Sequence, residues 1–123
     1  MPRTPREAEH TSTKPLKPAV FYILLALAAG ENYGYAVMQA VRDASQGQVA
    51  IGAGSFYRHL AKLIEEGLVA EATARRAVED PRRGVYYRIT PRGQSVLADE
   101  RRRLAALVAA IDGLRLAPRR GQA

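Results

Sequence analysis

The sequence predicts a mainly α-helical chain with one small β element, which places it in the α+β class. Apolar residues recur every three to four positions in two short segments and again in a long C-terminal segment, as expected for helices with one buried face, and a continuous apolar run precedes them. Residues 85–90 alternate instead with the period of a strand. The chain has 123 residues, of which 47% are hydrophobic, enough for the core of one domain.

The charge and cysteine content restrict the partners and sites to be expected. The formal net charge is +7 and the isoelectric point about 10.2, so the expected partner is a nucleic acid or an anionic membrane surface. The chain has no Cys, which excludes a disulfide framework and a thiolate metal site. One of its two His residues lies in the N-terminal tail. We therefore expect neither a metal nor a cofactor.

Residues 1–16 are rich in Pro, Thr, Arg and Glu and predict a disordered, basic N-terminal tail. The segment that follows, "AVFYILLALAA" at 19–29, resembles the apolar region of a secretory signal. It is too short to span a bilayer. We interpret it as a helix over about 18–29 that is buried on all sides, begins at Pro18 and ends at Gly30.

A second helix is expected after the turn "GENYG", with Asn32 as its N-cap and its end near Gln46. Its apolar stripe includes Val37 and Val41, and Gly47 is well placed as a C-terminal stop.

The third helix lies within "GAGSFYRHLAKLIEEGLV" at 52–69, from Phe56 to Gly67. One side carries Phe56, Leu60, Leu63 and Ile64 and should face the core. The first turn of the other side carries Ser55, Tyr57 and Arg58. Asp or Glu would be usual there, because a helix N-terminus has partial positive charge. Hydroxyl groups and a cation at this place suit an anion such as a phosphate.

A hairpin with a basic tip follows. Its first strand is expected from Leu68 to about Arg76. The second contains Val85, Tyr87 and Ile89 in alternation with polar or aromatic residues. The loop between them holds turn signals together with Arg82 and Arg83.

The last predicted element is a helix from Pro91 to about residue 116, followed by a disordered tail at 117–123. Glu100 interrupts an otherwise apolar heptad pattern, and the basic run at 101–103 is expected to be solvated. Nothing else in the sequence is left to cover so long a stripe, which predicts a second copy of the chain as its partner. The expected dimer contacts are Leu97, Leu104, Leu107, Ile111 and Leu114.

The order helix, helix, helix, hairpin, long helix is that of the winged helix-turn-helix fold with a two-stranded wing. Three segments resemble the PadR-like transcriptional regulators, in the short form with a single C-terminal dimerisation helix. They are "YGYAVMQAV" at 33–41, "GSFYRHLAKLIEEGLV" at 54–69 and "RRGVYYRITPRGQSVL" at 82–97. Tyr33 and Ala53 stand where the family usually has His and Pro, and Ser55 and Phe56 stand where it has Thr and Leu.

The resemblance implies a bacterial, cytoplasmic, homodimeric repressor that binds a pseudo-palindromic operator. Residues 17–92 would form the DNA-binding domain and 93–116 the dimerisation helix. Members of the family often respond to small aromatic ligands, which leaves room for such an effector and for release of the operator by it. The residues we expect to contact double-stranded DNA are Ser55, Tyr57, Arg58, Lys62, Arg82, Arg83, Tyr35 and Lys17.

Several alternatives stay open. Tyr57 could pack at the edge of the core, and Arg58 and the wing tip could be merely solvated. The winged helix could serve protein–protein or RNA contact without sequence-specific DNA binding. An enzyme is not expected: "GAGS" at 52–55 is similar to a glycine-rich phosphate loop, but the third Gly of the dinucleotide fingerprint is replaced by Tyr57. A membrane-surface role would need an amphipathic helix with aromatic anchors that the core does not use.

Overall fold

The computed structural model describes residues 14–72 and 84–116. Within them the chain forms four helices and three strands, which confirms the predicted class. The elements are α1 (Pro18–Ala28), β1 (Asn32–Tyr33), α2 (Gly34–Ala44), α3 (Ala53–Glu65), β2 (Val69–Glu71), β3 (Tyr86–Ile89) and α4 (Pro91–Asp112). The wing tip with Arg82 and Arg83, the tail at 117–123 and residues 1–13 of the N-terminal tail lie outside the described residues.

The sheet contains a strand that the sequence did not reveal. All its pairs are antiparallel, in the order β1-β3-β2, and β1 pairs Asn32 with Tyr87 and Tyr33 with Tyr86. Asn32 was expected to cap α2, but the N-cap is Tyr33, and the Asn32 side chain accepts a hydrogen bond from the Tyr33 N–H at 2.9 Å. Two residues are too short a strand to show any periodicity.

The central position of β3 also changes the burial expected along it. The alternation predicted one buried face, yet Tyr86 and Tyr87 are both buried and Val85 is exposed. On one side the Tyr33 ring packs against the Tyr86 ring, with 5.8 Å between the centroids. On the other side Tyr87 joins the hydrophobic core. Both faces of β3 are therefore covered.

The core is built between α1, α2, α3 and the sheet. Its buried side chains are Ile23, Leu24, Leu27, Val37, Val41, Phe56, Leu60, Leu63, Leu68, Val69 and Tyr87. Helix α1 contacts α2, α4 and β3, so it occupies the centre of the fold. The prediction that α1 is buried on all sides was wrong, because Leu25 is exposed and Phe21 only partly buried. Phe21, Leu25 and Ala28 form a stripe along the outer side of the helix.

The start of α4 is held tightly against the end of α3. The Thr90 hydroxyl donates to the Gly67 carbonyl at 2.6 Å and accepts from the Gly93 N–H at 3.0 Å, while the Thr90 N–H donates to the Leu68 carbonyl at 3.0 Å. A Cβ on Gly93 would collide with the Leu68 carbonyl oxygen and would lie 2.7 Å from the Ile89 side chain. Only glycine fits there. The domain boundary expected between residues 92 and 93 thus falls inside the first turn of α4.

Helix α4 has two halves with different surroundings. Val96 and Leu97 pack against the core, whereas the apolar side chains from Leu104 onward are exposed. Glu100, which interrupts the heptad pattern, is buried and accepts two hydrogen bonds from Arg103, at 2.8 Å and 2.6 Å. Arg103 is therefore not part of a solvated run. Its hydrogen bonds hold the pKa of Glu100 below the usual range of a Glu carboxyl, against the opposing effect of burial.

We predict that Thr90→Val destabilises the fold by about 1–2 kcal/mol, because valine keeps the shape of the side chain but can neither cap α4 nor donate to Gly67. Thr90→Ser is the matched control, since it retains the hydroxyl and should stay within about 0.5 kcal/mol of the parent. Urea unfolding followed by circular dichroism measures both. Equal stability of the Val and Ser variants would contradict the role assigned to this hydroxyl.

Candidate nucleic-acid interface

Helix α3 presents one exposed face opposite its core face. Phe56, Leu60 and Leu63 are fully buried. The exposed side carries Gly54, Tyr57, Arg58, Ala61 and Lys62, with Glu65 at its C-terminal end. The small residues Gly54 and Ala61 lie one turn before and one turn after the long side chains, so the helix backbone is accessible along this side. Its cations lie in the first three turns and its exposed carboxylates at the end.

The N-terminal end of α3 is open. The N-cap is Gly52, and among the described residues no side chain caps the helix and no acidic residue lies in its first turn. The first N–H groups and the positive end of the helix dipole are thus available to an external anion. The helix begins at Ala53, earlier than the apolar stripe from Phe56 indicated, which brings Ser55, Tyr57 and Arg58 into its first two turns.

Tyr57 links α3 to the start of α2. Its ring packs edge-on against Phe56, with 5.0 Å between the centroids, and its hydroxyl end lies against Gly34, the first residue of α2. The side chain is still 45% exposed. From the sequence, packing at the core edge and access to a partner were alternatives for Tyr57. The structure is compatible with both at once.

Tyr57 also influences a buried neighbour, Tyr87. Burial raises the pKa of the Tyr87 hydroxyl above its usual value, and the nearby Tyr57 and Glu71 raise this pKa further.

The start of α2 resembles the start of α3. Within the described part of the chain no side chain caps it and its first turn has no acidic residue. Tyr35, in that first turn, is exposed, and its hydroxyl accepts a hydrogen bond from the Gln39 side chain at 2.8 Å. The Tyr57 hydroxyl thus adjoins the uncapped start of α2, where Gly34 is buried and Tyr35 is exposed.

The remaining expected DNA contacts are placed as follows. Arg58 is exposed, and its guanidinium lies back towards Gly54, 3.9 Å from where a Cβ would stand. Ser55 is half-buried. Lys17 and Lys62 both line a cleft of about 230 Å³ between the residues before α1 and one side of α3. His59 lines the same cleft.

The expected dimer contacts divide into two groups. Leu97 packs partly against the core of its own chain. The other four, and Val108, which the heptad pattern missed, are between 36% and 61% exposed: Leu104, Leu107, Val108, Ile111 and Leu114. A cleft of about 450 Å³ between α1, residues 48–49 and α4 joins this stripe to Phe21 and Tyr22. The outer stripe of α1 was missed because all of its neighbours are apolar as well.

Two classes of site find no support in the part of the chain that the structure describes. No group of His, Asp or Glu side chains there could hold a metal ion. None of the described helices combines the length and the apolar character needed to cross a bilayer.

Comparisons with known proteins agree with this architecture. Residues 23–99 match the model of the transcriptional regulator PadR-like family. A transcriptional regulator from Clostridium thermocellum superposes with a TM-score of 0.61 at 24% identity, over 79% of this chain and 92% of the other. A PadR family regulator from Clostridium difficile gives 0.62 at 17% identity, over 78% and 96%. A MarR family regulator from Silicibacter pomeroyi gives 0.58 at 18%, over 87% and 64%. No curated protein matches.

We predict that Gly34→Ala displaces the Tyr57 ring, because the added methyl group would overlap the Tyr57 hydroxyl. Within a helix this change ordinarily adds about 0.5–1 kcal/mol of stability. Here it should instead destabilise the chain, as measured by chemical denaturation.

Gly54→Ala is the matched control, since its nearest neighbour is 3.9 Å away, and it should be stabilising. In a Tyr57→Phe background, which lacks the hydroxyl, the penalty of Gly34→Ala should shrink. A penalty independent of the residue at position 57 would disprove the contact.

Proposed function

Because the chain belongs to the PadR-like family of transcriptional regulators, we propose that it is a homodimeric, sequence-specific repressor that binds a pseudo-palindromic DNA operator. The observation that carries the proposal is the exposed first half of α3, where Tyr57 and Arg58 stand beside an uncapped helix N-terminus. The charge of +7 supports a polyanionic partner. Such a repressor would act in the bacterial cytoplasm.

In this proposal the N-terminal half of α3 enters the major groove. Arg58 is the residue that would read a base, since guanidinium groups bind guanine through two hydrogen bonds. Gly54 and Ala61 allow the helix backbone to approach the base edges. Glu65 would repel the phosphates, which limits the contacts to the first turns, as in other helix-turn-helix proteins.

A DNA phosphate would bind where α2 and α3 meet. The Tyr57 hydroxyl would donate from α3, and the uncapped N-terminus of α2 would attract the phosphate from the other side. Tyr35 stands at the edge of this surface and Ser55 in the first turn of α3. Lys17 and Lys62 would contact a phosphate along the cleft that they share, and Arg82 and Arg83 remain proposed phosphate contacts of the wing.

The dimer would form through the exposed half of α4 together with the outer stripe of α1. Both surfaces are apolar and adjoin the same cleft, so a second copy could cover them continuously. The two α3 helices would then lie about 34 Å apart and read half-sites one helical turn apart. Phe21 and Tyr22, whose rings pack edge-on at 5.3 Å, give this cleft an aromatic wall where a small aromatic effector could bind and release the operator.

Fluorescence anisotropy tests the proposal directly. A labelled duplex from the region upstream of the chain's own gene is titrated with protein at several salt concentrations, with a scrambled duplex as competitor. Binding that survives the competitor and weakens steeply with salt is the expected result. Absence of any sequence preference at all salt concentrations would instead indicate a winged helix that contacts protein or RNA.

We predict that Arg58→Ala weakens operator binding by about 1–3 kcal/mol and reduces the discrimination between operator and scrambled duplex. Arg58→Lys is the matched control, because it keeps the charge but loses the paired hydrogen bonds. It should bind all duplexes well and still discriminate poorly. An equal loss on every sequence, restored by lysine, would make Arg58 a phosphate contact and not a base-reading residue.

We predict that Leu104→Glu combined with Ile111→Glu yields folded monomers that bind the operator weakly, because four carboxylates would be brought into an apolar interface. Ala106→Glu with Ala109→Glu is the matched control, since both residues are exposed on the opposite side of α4. Sedimentation velocity measures the outcome. A dimer in the first variant would place the interface elsewhere.

A further inference from the structure

Glu100 is a charged residue in an unexpected place. Its side chain is only 5% exposed, and it lies in α4 immediately before the half of the helix that leaves the core. Burial of a carboxylate is costly unless hydrogen-bond donors surround it. An apolar residue at this position would continue the heptad pattern and would avoid the cost of burying a charge. The contacts of this carboxylate therefore need an explanation beyond the packing of α4.

The donors to Glu100 come from two parts of the chain. Arg103, one turn further along α4, donates from Nε at 2.8 Å and from Nη2 at 2.6 Å. Leu16, in the segment before α1, lines the same cleft as Glu100, and its backbone N–H also helps to lower the pKa of this carboxyl. The carboxylate thus connects α4 with a segment that has no regular secondary structure of its own.

That segment leads directly to one of the proposed DNA contacts. Leu16 is partly buried and packs against the core, although the sequence placed it in the disordered tail. The next residue, Lys17, is exposed and lines the cleft that Lys62 of α3 also lines. Lys17 is also the N-cap of α1 and has extended backbone geometry, so its position depends on how Leu16 is held.

We propose that Glu100 is a positioning residue for DNA binding: by holding the Leu16 N–H, it fixes Lys17 beside the proposed DNA-binding face of α3. This inference rests on the proposed function. Glu100 itself lies on the opposite side of Leu16 from the Lys17 cleft and would not touch DNA, since it lines the cleft towards Phe21 and Tyr22. Its effect on affinity should therefore pass entirely through Lys17.

A double-mutant cycle tests this arrangement. Wild type, Glu100→Gln, Lys17→Ala and the double variant are titrated against the same labelled upstream duplex at several salt concentrations. Glutamine keeps the size of the side chain but binds the Leu16 N–H and Arg103 more weakly, because it is uncharged. We expect each single variant to lose roughly three- to tenfold in affinity and about 1.8 of the log–log salt slope, because each protomer of the dimer would lose one phosphate contact worth about 0.9. The double variant should bind no worse than Lys17→Ala alone.

Asp99→Asn is the matched control. Asp99 precedes Glu100 on the same helix and forms the same kind of ion pair, with Arg102 three residues later, but more exposed to solvent. It should leave the affinity unchanged. Sedimentation velocity and circular dichroism check that each variant remains folded and dimeric. If Glu100→Gln does not fold, Glu100→Asp, which keeps the charge but is shorter by one methylene group, replaces it with the same expectations.

The outcomes separate the two proposals. If wild type binds no duplex, the proposed function fails and this inference fails with it. If wild type binds but Glu100→Gln has the same affinity, or if its loss adds fully to that of Lys17→Ala, only the positioning role is overturned. A loss of affinity in Asp99→Asn equal to that of Glu100→Gln would also overturn it, because the effect would then come from the general charge of α4.

Discussion

The close approach of α4 to the end of α3 is the constraint on which the rest of the structure depends. Leu68 is its centre: its N–H closes the end of α3 through the Leu63 carbonyl, and its own carbonyl receives the Thr90 N–H and touches Gly93. Strand β2 starts at the next residue, so helix, sheet and C-terminal helix are all fixed within a few ångströms. Any change at this point would alter the angle between α3 and α4. In the proposed dimer, that angle sets the distance between the two recognition helices.

In the described part of the chain, polar side chains in the interior of the fold are hydrogen-bonded, whereas the helix N-termini at the proposed binding surface are left uncapped. The two buried polar side chains of the described residues are hydrogen-bonded: the Ser45 hydroxyl accepts from the Val49 N–H and can donate to the Arg42 or Val49 carbonyl, and Glu100 accepts twice from Arg103. The starts of α2 and α3, in contrast, have no side-chain cap among the described residues. An N-cap typically contributes about 1 kcal/mol, so both helices forgo stability at the ends that face the proposed phosphate site. This local deficit is expected where the ligand itself supplies the missing acceptor.

Much of the architecture follows from the sequence, and the exceptions have physical causes. Helices α2, α3 and α4 could be predicted from periodicity, α1 from an apolar run between Pro18 and Gly30, the second hairpin strand from alternation, and the family from three short segments. Strand β1 could not, because two residues carry no pattern and its pairing with β3 is a long-range contact. The exposed stripe of α1 was concealed by the uniformly apolar composition of 19–29. In the sequence Glu100 only interrupts a heptad pattern. Its contact with Leu16 could not be predicted, because the two residues are far apart in the chain. In the candidate site, Tyr57, Arg58 and Lys62 are exposed, as the predicted contact with DNA requires. The packing of Tyr57 against Gly34 involves a residue that no motif singled out.

The exposed side of α3 also bears on how such a regulator can evolve. Gly54, Arg58 and Ala61 are exposed, and each can be replaced without opening a cavity. Tyr57 is different, because its ring packs on Phe56 and against Gly34, and any replacement must also suit α2. With α3 as the proposed reading helix, duplicated copies of the gene could therefore diverge towards new operator sequences through a few surface substitutions. The proposed phosphate site between α2 and α3 would stay the same throughout the lineage.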